Sequence, residues 1–143
     1  MKIKQEKMIR NYFYLIVGVL CILFAVTHTV NGVNTTLAAL ENSVMDDSSK
    51  TAFTYVWHII GIENLVFGIA LIIMAFQKSL SKVMFAAWMI ITILALRWIV
   101  ISTFTMMNTG AGMMQILPDT VAIFVVIILL VLGTRVRDKV LIG

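Results

Sequence analysis

Four apolar runs dominate the chain, at residues 12–33, 53–76, 83–104 and 117–136, each 20 to 24 residues long. At about 1.5 Å per helical residue, each can cross roughly 30 Å of hydrocarbon. Within hydrocarbon every backbone N–H and C=O needs a partner inside the protein, which for runs of this length means α-helix. The sequence therefore predicts an all-α fold: a bundle of four transmembrane helices forming one integral membrane domain over residues 1–143. Pro118 suits the first turn of the fourth helix, where its missing N–H costs little. Composition excludes an ordinary soluble domain. The chain is 61% hydrophobic and 13% charged, against about 45–50% and about 25% in soluble proteins.

The charges predict the orientation. Nine of the eleven Lys and Arg flank the first span on its N-terminal side (Lys2, Lys4, Lys7, Arg10), join spans two and three (Lys78, Lys82), or follow span four (Arg135, Arg137, Lys139). The other two connections carry only Lys50, beside Glu41, Asp46 and Asp47. Positive residues stay inside, so both termini are expected on the cytoplasmic face, in a bacterial cell (inner) membrane. This clustering reads as topology and not as a nucleic-acid interface. The first span resembles a signal peptide in its flanks, but no small-residue cleavage site follows, so it is read as uncleaved.

Two connections then face outward. The long one, 34–52, spaces Leu37, Leu40 and Val44 at helical intervals, as a short amphipathic helix on the membrane face would. The other, MMNTGAGMMQI, reads as a Gly-containing turn. Cys21 is the only cysteine, so no intramolecular disulfide forms and no C-x-x-C redox pair exists.

Polar residues within the spans are expensive and mark candidate sites. Counted from the predicted outer ends, His28 and His58 both lie about 7–8 Å down, Asn31 and Asp119 about 3 Å, Arg97 about 10–12 Å, and Glu63 about 15 Å, with Asn64 beside it. All fall at the midplane or in the outer half. This predicts a polar cavity open to the outside, lined by His28, Asn31, Trp57, His58, Glu63, Asn64, Arg97 and Asp119, above an apolar inner plug. Glu63 and Arg97 lie near one depth and are expected to pair. His58 and Glu63, five apart, point about 140° away from each other. Two stripes of small residues, Gly18-Ala25-Gly32 and Trp57-Gly61-Asn64-Gly68, are expected to mate spans one and two closely.

The stretch GIENLVFGIALIIMAF, with Gly61, Glu63 and Gly68 ahead of a short basic loop, resembles the second helix of DoxX and DoxX-like membrane proteins. The resemblance implies a small four-helix membrane subunit, some relatives of which serve quinone-coupled or thiol redox systems. It makes Glu63 the carried-over polar residue.

The expected function is binding of a small polar-headed or quinone-like ligand in the outer cavity, or service as an accessory subunit of a membrane redox complex. Arg97 would meet an anionic or carbonyl group, and Tyr55, Trp57 and Trp98 would form flat walls. Other readings stay open: a small transporter or proton-coupled subunit acting as an oligomer, a haem b subunit using His28 and His58, and a metal site of His28, His58 and Glu63. Expected partners are the lipid bilayer and a second membrane protein or second copy. Hydrolytic catalysis has little support, because no nucleophile–base spacing is evident, and no zinc-ligand spacing or phosphate loop appears.

Overall fold

The computed structural model describes residues 8–108, 114 and 116–136. The predicted topology residues Lys2, Lys4, Lys7, Arg137 and Lys139, and most of the second outward connection, lie outside them. The described chain is all helical: α1 (Tyr12–Asn31), a π-helical turn (Gly32–Thr36), α2 (Leu37–Glu41), α3 (Asp47–Ala75), α4 (Ser81–Asn108) and α5 (Leu117–Thr134). Four helical stretches are long and apolar enough to cross a membrane: Tyr12–Glu41, Asp47–Ala75, Ser81–Met107 and Leu117–Thr134.

Helices run past the apolar stretches that predict them. α3 begins at Asp47, six residues before Phe53, and α4 ends at Asn108. Hydropathy marks where lipid is favourable, whereas the helix continues as long as its backbone ladder and caps are satisfied. Asp46 supplies such a cap. Its Oδ1 accepts the Ser49 N–H at 3.0 Å, and its Oδ2 accepts the Ser49 hydroxyl at 2.7 Å. Lys50 Nζ donates to the carbonyl of Glu41, the last residue of α2, at 2.8 Å. Only residues 42–46 separate α2 from α3.

The two hydrogen bonds from Ser49, side chain before backbone, hold the exposed Asp46 carboxyl below the usual aspartate range. A lowered folded value means the cap is complete above the unfolded value of about 3.9 and is lost as pH falls through the folded one. The Ser49 amide resonance should therefore titrate with a midpoint below about 3.9, and Asp46→Asn should abolish that titration. A midpoint at or above the ordinary value would refute the capping assignment.

The chain forms two compact units. The first is a helical hairpin, Gly18–Ile72, made of most of α1, the π turn, α2 and most of α3. Gly18 and Gly68 meet backbone to backbone: a Cβ on Gly68 would sit 2.8 Å from the Gly18 carbonyl oxygen, and one on Gly18 would sit 2.9 Å from that of Gly68. Side chains there would force the helices apart, so glycine sets their separation. Cys21, Ala25, Asn64, Phe67 and Leu71 are buried along the same seam. The opposite faces stay bare. Ile59, Ile62, Val66 and Ile69 form an exposed apolar stripe on α3, and Ile16, Val19, Leu23, Val26 and Val30 one on α1. Such stripes suit hydrocarbon and not water. Thr27, Thr29 and Thr54 return their hydroxyls to carbonyls four residues back, so none needs water.

The second unit joins Met1–Val17 to Ile73–Gly143. α4 and α5 pack along each other. Trp98 donates its indole N–H to the Thr120 hydroxyl at 3.1 Å, and its ring meets Phe124 edge-on at 5.1 Å. Ala87, Ile90, Ile91, Leu94, Val126 and Leu130 are buried. Asn11, 1% exposed, ties three helix ends together. Its Oδ1 accepts the Tyr14 N–H at 3.2 Å, capping α1. Its Nδ2 donates to the Gly133 carbonyl at 2.9 Å near the end of α5. Its backbone N–H, with that of Arg10, donates to the Ala75 carbonyl at the end of α3, at 3.1 and 2.8 Å. Terminal N–H and C=O groups lack partners in their own helix, and Asn11 supplies them in a region where water is scarce.

Candidate functional site

The hairpin holds a groove of about 710 Å³. One wall is a single face of α3, from Lys50 through Thr54, Tyr55, His58 and Ile59 to Ile62. The other is Val33, Leu37, Ala38, Leu40 and Glu41, from the π turn and α2. The π turn is what supplies that second wall. Its i→i+5 hydrogen bond, from the Leu37 N–H to the Gly32 carbonyl, admits one extra residue. One residue rotates everything after it by about 100° relative to a regular helix, and Leu37, Leu40 and Glu41 then line the groove.

The groove is graded in polarity. Lys50 and Glu41 stand at its loop end. Thr54 and His58 follow at four-residue intervals, so His58 lies about 12 Å along α3 from Lys50. Ile59, Ile62, Leu37 and Leu40 make the remainder apolar. A charged mouth above an apolar trough with one imidazole accepts an amphiphile: a polar head, and a ring or chain beneath it.

A second feature stands beside the groove. His28 and Trp57 stack with ring centroids 4.4 Å apart and planes 10° from parallel. Each ring bonds to the other residue's backbone. The Trp57 indole N–H donates to the His28 carbonyl at 3.3 Å, and His28 Nε2 lies 3.1 Å from the Trp57 carbonyl, close enough to donate to it. Gly32 makes the space, since a Cβ there would collide with the Trp57 indole. This clasp fixes α1 against α3 next to the π turn.

The predicted site residues are thus distributed. His58 lines the groove, and Tyr55 forms part of its wall. His28 and Trp57 come together but face each other and do not line the groove. Trp98 belongs to the second unit, where it bonds Thr120. Asn31 is exposed at the end of α1, and its carbonyl accepts the Thr35 hydroxyl at 2.5 Å. Asn64 is buried, Glu63 half-buried in the hairpin, and Arg97 half-buried on α4 in the other unit; none of the three lacks a partner. Asp119 is exposed in the first turn of α5, where a carboxylate suits the helix dipole. A haem iron bridging His28 and His58 would need the His28–Trp57 clasp to open. No three His, Cys, Asp or Glu side chains among the described residues gather as metal ligands, so His28, His58 and Glu63 do not assemble the metal site weighed above.

Sequence reasoning missed Glu41, Lys50 and Thr54 as groove residues. The signal was present in α3 as Lys50, Thr54 and His58, spaced four apart. It went unread because Lys50 and Thr54 lie at or outside the boundary drawn by hydropathy. Comparison with protein-family models, curated proteins and solved structures returned no match to this chain.

Proposed function

We propose that the chain is a multi-pass integral membrane protein of the bacterial cell membrane, with both termini cytoplasmic. Its hairpin groove binds a polar-headed or quinone-like amphiphile, either as a binding protein or as an accessory subunit of a membrane redox complex. The orientation rests on the basic residues that flank spans one, three and four. It places the 42–46 connection, and with it the mouth of the groove, on the outer face. The single observation carrying the ligand class is the groove's gradient, from Lys50 and Glu41 through His58 to Ile59 and Ile62. His58 would hydrogen-bond a carbonyl or head-group oxygen, Tyr55 would flank a ring, and the isoleucines would cover a tail. The likeness of the second span to DoxX-like proteins supports a subunit role of this kind.

The test is occlusion. Ala38 lines the groove as a small residue, so Ala38→Trp should fill the trough. A radiolabelled short-tailed benzoquinone and a radiolabelled lysophospholipid serve as probes in equilibrium dialysis with the detergent-solubilised full chain. At least one should bind wild type and lose about tenfold in affinity, or about 1.4 kcal/mol, in the variant. Val26→Trp, on the exposed apolar stripe of α1, should leave binding unchanged. Equal retention of both probes by wild type and Ala38→Trp would remove the groove as their site.

A further inference from the structure

The second unit contains its own cavity, of about 640 Å³, at the junction of the start of α1, the start of α4 and the end of α5. Tyr14, Ser81 and Arg135 bring polar groups to it, and Leu80, Met84 and Val136 line it with apolar surface. No carboxylate is among the described lining residues. The Tyr14 side chain is 1% exposed and lines the cavity. A phenol hydroxyl facing a cavity can donate to an anionic oxygen there. Arg135 adds a guanidinium, whose fork matches the oxygens of a phosphate. The first turn of α4 carries no acidic residue to oppose an anion there.

The polar side chains described at this cavity are hydroxyls and one guanidinium, set beside an apolar wall. We infer that the cavity takes the phosphate of an anionic phospholipid, with Arg135 and the Tyr14 hydroxyl on phosphate oxygens and the glycerol and upper acyl chain against Leu80, Met84 and Val136. Basic pockets between helices at the cytoplasmic face recognise acidic head groups in this way. The inference rests on the membrane placement proposed above and is independent of the ligand in the hairpin groove. A lipid seated here would also cover the ends of α1 and α5 where Gly133 packs on the Tyr14 ring.

Native mass spectrometry of the full chain in detergent, titrated with phosphatidylglycerol or phosphatidylcholine, tests it. Wild type should retain phosphatidylglycerol in preference to phosphatidylcholine. Arg135→Gln should weaken phosphatidylglycerol retention by about fivefold. Tyr14→Phe keeps the ring packing and removes only the hydroxyl; it should weaken retention by about threefold to tenfold. Lys82→Gln, an exposed basic residue near the cavity but outside its lining, should have no effect. Three results would each overturn the inference: equal retention of the two lipids, equal losses in Lys82→Gln and Arg135→Gln, or an unaltered Tyr14→Phe. Displacement of the lipid by millimolar inorganic phosphate would reassign the cavity to the free ion.

Discussion

Asn11→Ala is expected to destabilise the protein by about 2–4 kcal/mol, well beyond what a surface asparagine would cost. Two side-chain hydrogen bonds disappear at once. Loss of an N-cap alone costs about 1 kcal/mol, here the bond to the Tyr14 N–H. Loss of the Nδ2 donor removes a side-chain partner from the Gly133 carbonyl, which also accepts from backbone N–H groups at the end of α5, that of Val136 among them at 3.2 Å. Asn11 is buried, so water does not readily replace either bond. Asn11→Asp separates the two contributions. It keeps an acceptor for Tyr14 and has no donor for Gly133, so it should remain destabilised while α1 stays capped. Denaturation in mixed detergent micelles, followed by circular dichroism, measures both. A variant within about 0.5 kcal/mol of wild type would show that Asn11 does not join these helix ends.

Gly68→Val should be at least as damaging, by about 3 kcal/mol or more, and the damage should be confined at first to the hairpin. The new Cβ would lie 2.6 Å from Ile22 Cγ1, 2.8 Å from the Gly18 carbonyl oxygen and 3.1 Å from the Ile22 backbone nitrogen. Two of those three atoms are backbone and cannot rotate away, so the helices must separate. Separation draws α1 and the π turn off α3, which opens the His28–Trp57 clasp and widens the groove. Loss of amphiphile binding should therefore accompany loss of stability. Gly61→Ala is the control on the same helix. Its Cβ would meet the Thr29 hydroxyl at 3.0 Å, a side-chain atom that can shift. The gain in helix propensity, about 1 kcal/mol, offsets that adjustment, so the net change should stay within about 1 kcal/mol. Trp57 fluorescence during denaturation reports on both variants, because Trp57 sits in the hairpin itself. If Gly68→Val unfolds like wild type, the close crossing at Gly18 and Gly68 is not what holds α1 to α3.

The glycine seam is the part of the packing that was legible beforehand. Gly18, Ala25 and Gly32 on one helix, and Gly61, Asn64 and Gly68 on the other, are read from spacing alone, and the structure places Gly18 on Gly68 and Gly32 on Trp57. Small residues at helical intervals inside an apolar run have few other uses. Asn11 was not singled out in the sequence, and nothing local says that its side chain reaches a carbonyl 122 positions away. The π turn had no signal in the residue pattern; it starts at Gly32, against which the Trp57 ring packs.

Depth counting along the chain explains why the candidate site was read in part. It fixes the height of a residue in its helix, and so placed His28 and His58 level. It does not fix the direction in which a side chain faces, which depends on the neighbours each helix acquires. His28 faces Trp57, while His58, near the same height by that count, faces the groove. The sequence by itself determined that the chain is helical, that four stretches can cross a membrane, and where α1 and α3 approach closely. Those properties depend on composition and period, which every segment carries locally. The tertiary structure alone decided the groove, the clasp and the three-helix junction at Asn11. Each depends on the rotation of one helix against another, and that rotation is set by contacts between residues distant in the chain.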